Sequence, residues 1–354
     1  MSLGSAETVE ESIERLSISR TGAETYHALD VIDLHLDTFI WQRILGYDIG
    51  RRHSVGALNG WFLSQVDLPR IRSVDLAGAT WVITTNPWRS AAGRQKAFKK
   101  NLISLKEKIG EYTADVQLVK TCSDFHNARR ADKHAAFIGI QGGNALDHDL
   151  DCLDLLDSGD VLRVTLVHLS NSRLGGTSAP SLPGKRGLSA FGADYVHLLN
   201  KKRVFVDLAH ASKAVFYDAL EHHDKSLPPI VTHTGVASVH EHWRNLDDDQ
   251  LRAIADRGGI IGVMYHSWFL TSFHQRCTHE NIVQHIQRII TVVGEDHVAL
   301  GSDWDGAIVP PSDLRSVDML PRLIDGLVRA GLSDSQLEKL CSGNFLRVLQ
   351  QLRG

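Results

Sequence analysis

Histidine and aspartate recur in this chain where short apolar runs end. His35 and Asp37 close "VIDLHLD", His168 closes "VLRVTLVH", His210 closes "RVFVDLAH", His233 closes "PIVTH", Tyr265 and His266 close "GIIGVMYH", and Asp303 closes "HVALGSD". Residues two apart on an extended strand point to the same side, so His35 and Asp37 can offer a nitrogen and a carboxylate oxygen to one ion. Taken singly, an HxD pair is an ordinary loop feature, and a lone strand-end histidine is an ordinary hydrogen-bonded core residue. The convergence of four such groups on one rim points instead to a shared metal site. Asp303 fits either of two roles there, metal ligand or acceptor of a proton from metal-activated water. Two strand ends carry amides. "ATWVITTN" ends on Asn86, and "FIGIQGGNAL" delivers Gln141 ahead of Gly142, Gly143 and Asn144.

The elements that must position these groups are eight apolar runs, at 31–37, 79–86, 135–141, 161–168, 203–210, 229–233, 259–266 and 297–303. Runs that are apolar throughout fit parallel strands covered on both faces, and stretches such as "LDDDQLRAIADRG" supply helical crossovers. The α/β class follows. A closed (β/α)8 barrel is preferred over an open doubly wound sheet, because eight units is the number that closes and little chain remains for a second domain. The active site of such a barrel lies at the C-terminal ends of its strands. Residues 1–28 read as an N-terminal extension, packed on the barrel or partly disordered, and residues 29–354 as a single barrel domain. The long connection after the first strand, beginning at "TFIWQR", exceeds what a loop requires and is expected to fold over the barrel mouth.

Composition sets the bounds. The chain has 354 residues, 43% apolar and 23% charged, with a formal net charge of -4 and 19 histidines. Nothing in that balance calls for nucleic acid or an acidic membrane surface as a partner. Cys122, Cys152, Cys277 and Cys341 form no CxxC pair, so they read as reduced, buried thiols. No window has the length of a membrane span, and "MSLGSAETVEESIERLSISR" carries acids in place of a secretory apolar core. A cytoplasmic protein is the expectation.

Taken together, these residues carry a family likeness. HxD on the first strand, a polar residue before two glycines on the third, histidines ending the next three, and "LGSDWDG" on the last resemble the membrane (renal-type) dipeptidase family of the amidohydrolase superfamily. "HEHWRNLDDDQLRAIADRGGIIGVMY" and "SGNFLRVL" extend the likeness over nearly the whole chain from about residue 30. The resemblance implies a zinc-dependent barrel that cleaves dipeptides. His35 and Asp37 would hold one metal, and His210 and His233 the second, with Asp303 as a further ligand or the manager of the water proton. His168 would steady the substrate carbonyl, Arg244 would hold the terminal carboxylate, and Tyr265 and Gln141 would line the substrate position. Relatives of this type are often dimers, so a homodimer is the assembly implied.

Gln141 departs from the pattern, because the family normally has a bridging glutamate there, and Asn144 stands where a histidine is usual. Two dications about 3.5 Å apart repel by roughly 19 kcal/mol at an effective dielectric of about 20, so they need anions between them. An amide has one acceptor oxygen and an NH2 that only donates, so Gln141 can ligate one ion and cannot bridge two. The expectation is one firmly bound zinc near Asp37, with the second position weak or empty. Three functions stay open. The chain is a dipeptidase-like hydrolase, a mononuclear amidohydrolase acting on another amide or a lactone, or a catalytically silent barrel that binds a small ligand or a protein partner.

Overall fold

The computed structural model describes residues 3–56, 58–180 and 187–354. Its strands are β1 (Ile32–Leu36), β2 (Gly78–Thr84), β3 (Val116–Leu118), β4 (His134–Gln141), β5 (Val161–Thr165), β6 (Phe205–Asp207), β7 (Ile230–Thr234), β8 (Ile260–Val263) and β9 (Val298–Leu300). All pair in parallel. The sheet runs β2-β1-β9-β8-β7-β6-β5-β4-β3, and a further β2–β4 pairing closes it into an eight-stranded barrel. The eight expected runs are the eight barrel strands. The short β3 pairs only with His134–Ala136 at the start of β4, below the point where β5 joins at Ile138.

The lower barrel is filled by Phe137, Leu162, Phe205, Ile230 and Ile260, which form one cluster with Phe345, Val348, Leu349 and Leu352 of the C-terminal helix Asn344–Arg353. Phe137 and Phe345 meet edge to face at 5.3 Å, a geometry worth about 1 kcal/mol beyond the area it buries. Asn344, in the "SGNFLRVL" segment, anchors that helix by donating to the carbonyls of Glu295 and Val298. The helices Val9–Leu16 and Arg20–Ala28 precede the barrel; Leu16, Ile18 and Ala23 form a small apolar cluster that packs on Met319. A Thr8–Glu11 capping box starts the first of them and satisfies two otherwise orphaned N–H groups.

The connection after β1 is stitched to the loop after β9. Asp305, fully buried, accepts from Gln65 N–H, Val66 N–H and the Thr38 hydroxyl, while Phe62 N–H donates to the Ile308 carbonyl. Burial pushes the Asp305 carboxyl up to about 6 against these stabilising bonds. Asp33 ties β1 to the end of β9 in the same way, accepting from His35 N–H and Ser302 N–H.

His134, at the foot of β4, is buried with both ring nitrogens in use. Nδ1 donates to the Leu76 carbonyl (2.7 Å) and Nε2 accepts from the Trp81 indole (3.2 Å), which fixes a neutral tautomer. Burial pulls its pKa from 6.5 down to about 4. Between those values the unfolded chain holds a proton that the native chain lacks, so stability falls as pH falls, by up to about 1.4 kcal/mol per pH unit for this one group. Denaturant titrations should show His134→Gln less stable than the parent at pH 7.5 but with a shallower loss between pH 6.5 and 4. Parallel pH profiles would show that His134 does not contribute to the acid sensitivity.

Candidate active site

Asp207, at the end of β6, organises the floor of the barrel mouth. Its Oδ2 accepts from Arg163 Nη1 (3.0 Å), Thr165 Oγ1 (2.5 Å) and Thr232 Oγ1 (2.8 Å), and its Oδ1 accepts from Ala209 N–H and Thr232 N–H. Both outer partners reach a histidine. The Thr232 hydroxyl has spent its proton on Asp207, so at 2.8 Å it accepts from His233 Nδ1–H, which leaves the His233 Nε2 lone pair facing the mouth. Arg163 Nη2 donates to His35 Nδ1 at 2.8 Å. A guanidinium only donates, so the neutral His35 ring carries its proton on Nε2, which also faces the mouth.

Above this floor, His35, His233 and Asp303 place ligand atoms within 4.8 Å of one another, all buried. The His35 and His233 rings lie 3.9 Å apart between centroids, and His35 Nε2 is 3.5 Å from Asp37 Oδ2 and 3.7 Å from Asp303 Oδ1. His210 Nε2 lies 2.9 Å from His233 Nε2, and its Nδ1 has no partner. With the His233 lone pair as acceptor, His210 must donate, so His210 holds a proton on the nitrogen that a metal would need. The cluster thus takes one histidine from each of the two expected ligand pairs, His35–Asp37 and His210–His233. His210 and Asp303 both sit at φ 63, a left-handed conformation costly for residues with a Cβ and frequent at functional sites.

Gln141 lies among these groups. One end of its amide is 2.8 Å and 3.2 Å from the Asp37 oxygens and 3.0 Å from His35 Nε2; the other is 3.0 Å from His168 Nε2 and 3.3 Å from His210 Nε2. A carboxylate only accepts, so the NH2 faces Asp37 and the oxygen faces His168 and His210, while His35 Nε2–H, itself a donor, makes no hydrogen bond to that NH2 and is directed at Asp37 Oδ2. Asp37 also accepts from the Thr84 hydroxyl.

The charges ask for a cation. Burial holds His35, His210 and His233 neutral, with the Arg163 charge adding to the effect on His35, and burial takes His168 down to about 4. Burial opposes ionisation of Asp37, yet the His35 contact outweighs it and its pKa falls below the usual range. Asp303 goes the other way, raised well above that range by burial and by the Asp37 charge. Asp303 therefore takes the proton that a bound cation would displace. To offer Nε2 lone pairs to a divalent metal, His233 must be released from the His210 N–H, and His35 must shift its ring proton to Nδ1, which requires Arg163 Nη2 to turn away.

Arg244 is buried beside this cluster. It donates to the His233 carbonyl (2.8 Å), its Nε has no partner, and burial lowers its pKa to about 10 against the Asp303 charge. A cavity of about 750 Å3 opens beside His168, lined also by Trp88, Asn144 and Arg173. Tyr265 is not brought to the site. Its ring is fully buried against Trp304 at 5.2 Å, and burial, followed by the Asp33 charge, raises its hydroxyl well above the usual range. His266 packs at a tilt on Phe269, and Asn86 turns its side chain to Trp88 N–H. Sequence reading missed Arg163, Asp207 and Thr84, although a charge inside "VLRVTLVH" and another inside "VFVDLAH" interrupt otherwise apolar strands and mark buried partners.

Comparison with known proteins decides the lineage. Residues 23–353 match the model of the membrane dipeptidases, peptidase family M19. The chain belongs to this family. The "uncharacterized protein in pqqA 5′ region" of Klebsiella pneumoniae is 34% identical over 72% of this chain and 95% of its own length. Dipeptidase tcpJ of Claviceps purpurea is 29% identical over 71% of this chain, and the match spans only 59% of that protein. A metallopeptidase of Rhodobacter sphaeroides, solved with a phosphinate mimic of L-Ala-D-Ala, shares the barrel fold at a TM-score of 0.82 and 22% identity, covering 92% of this chain and 99% of the other. Family membership places the chain among metallo-dipeptidase-type hydrolases. No helix among the described residues is long and apolar enough to cross a membrane.

In this family member, Asp207 is expected to hold both metal-facing rings through Arg163 and Thr232. Asp207→Asn leaves the buried Arg163 charge unpaired and should cost about 3 to 5 kcal/mol of stability by denaturant titration. Metal affinity should fall about 10- to 100-fold. Parental values for both would show that Asp207 does not organise the floor.

Proposed function

We propose that the chain is a dipeptidase working with one zinc ion held by His35, His233 and Asp303, with Asp37 beside it. The observation that carries this reading is that three-residue cluster, placed next to a buried guanidinium with an unpartnered donor. Imidazole nitrogen and carboxylate oxygen in small number suit zinc. Zinc, when bound, supplies a Lewis acid and lowers the pKa of water at the site.

The protein's own groups do the rest. Arg244 holds the terminal carboxylate of the dipeptide with its free donors, fixing the scissile carbonyl over the cluster. His168 donates from Nε2 to the carbonyl oxygen as charge develops there, trading its present partner, the Gln141 oxygen, for the substrate. Asp303 accepts the proton of the attacking water and returns it to the leaving amine. Gln141 holds Asp37 in place through its NH2. The cytoplasm is the proposed location, supported by four buried, unpaired cysteines.

Activity on a dipeptide panel that a chelator abolishes and zinc restores tests the reading directly. The metal count tests its central claim. Stripped protein reloaded with limiting zinc should saturate near one equivalent by elemental analysis, and Gln141→Glu should move toward two, because it adds one negative charge and one acceptor oxygen between the half-sites. Two tightly held ions in the parent would refute the single-metal site. Arg244→Ala should lose about 1.5 to 3 kcal/mol in kcat/KM on free dipeptides and much less on their C-terminal amides. An equal loss on both would make Arg244 structural, and would favour an amide or lactone substrate without a carboxylate.

A further inference from the structure

On the Asp37 side of the mouth lies a second cavity, of about 740 Å3, to which none of the proposed metal or substrate ligands contributes. Thr84 is in its wall, and the Thr84 hydroxyl donates to Asp37, so the cavity abuts the cluster directly. The rest of the wall is unusually one-signed: Arg43, Arg89, Arg94, Lys96 and Lys100 line it, and no acid does. Arg94 is paired with Asp147 at 2.5 Å. The other four cations have no ion-pair partner among the described residues. Arg43 is the innermost by its contacts, with its guanidinium over the Phe39 ring and Nη2 donating to the Thr84 carbonyl at 3.3 Å.

Unpaired cations around one concave wall repel one another, and a bound anion relieves that repulsion. The barrel order says which end of a substrate would supply it. Thr84 ends β2, while Arg244 bonds to His233 of β7, and these strands stand four apart in a ring of eight, across the mouth from each other. A dipeptide whose carboxylate rests on Arg244 directs its amino-terminal residue toward the β2 wall. We propose that this basic cavity is a specificity subsite for a carboxylate on the side chain of the amino-terminal residue, so that the preferred substrates are dipeptides beginning with glutamate or aspartate. The inference rests on the dipeptidase reading for the orientation of the substrate.

Two dipeptides equal in size and different in charge, Glu-Ala and Gln-Ala, isolate the effect. The zinc-loaded parent should favour Glu-Ala in kcat/KM by about tenfold, the scale of one charge-assisted contact. Added salt should erode the ratio. In the triple variant Arg43→Ala, Arg89→Ala, Lys100→Ala, it should fall close to one. Equal kcat/KM values in the parent, or a preference that survives in the variant, would overturn the proposal, and a general loss of activity would lower both substrates alike without changing their ratio. Calorimetric binding of the same dipeptides separates this inference from the one beneath it. If neither is hydrolysed but Glu-Ala binds more tightly and the variant loses that advantage, the subsite stands and the dipeptidase reading falls. Equal binding of the two would remove the subsite whatever the turnover.

Discussion

The Asp207 carboxylate, gathering Arg163, Thr165 and Thr232 under the barrel mouth, is the interaction on which the site depends. It lets a full guanidinium sit inside a barrel otherwise filled with Phe137, Leu162 and Phe205. Burying an isolated charge there would be prohibitive, and burying a paired one is tolerable when its hydrogen bonds are satisfied. The pair also sets the protonation of two rings at once. Through Thr232 it leaves the His233 lone pair facing the mouth, and through Arg163 it turns the His35 proton the same way.

That arrangement makes the two histidines unequal in a way their positions alone would not. His233 has its lone pair in place, although His210 currently donates into it; His35 becomes a ligand only by shifting its ring proton to Nδ1, against Arg163. Gln141 adds to the asymmetry. A carboxylate at that position would stand as a third anion beside Asp37 and Asp303, two groups that already compete for one proton. The amide removes a charge and gives Asp37 a donor, so the site needs less positive charge to be neutral. Fewer anions and fewer free lone pairs are the features that support the single-metal proposal.

The rim above is held by strain and by stitching. His210 and Asp303 adopt left-handed backbone that costs of order 1 to 3 kcal/mol each. The bonds of Asp305 to Gln65, Val66 and Thr38 fasten the long first connection to the loop after β9. Rigid walls of this kind hold cations on both sides of the mouth, Arg244 on one and those of the Arg43 cavity on the other.

Much of this was legible in the chain as a string. Eight continuous apolar runs spaced by helical segments determined a parallel barrel, because strands covered on both faces have no polar alternation to show. The same runs located His35, Asp37, Gln141, His168, His210, His233 and Asp303 at the rim, since a strand end is where an apolar run stops. Periodicity, however, reports where a strand ends and not which way the next side chain turns. Tyr265 closes its run like the others and yet packs into the core against Trp304, and β3 is too short to announce itself. Which nitrogen of each ring carries its proton, and which end of the Gln141 amide meets Asp37, depend on partners 23 to 128 positions apart in the chain, such as His233 for His210 and Arg163 for His35. Only closure of the barrel brings those partners to hydrogen-bonding distance, so local sequence determined the list of groups and tertiary structure decided their charge states and pairing.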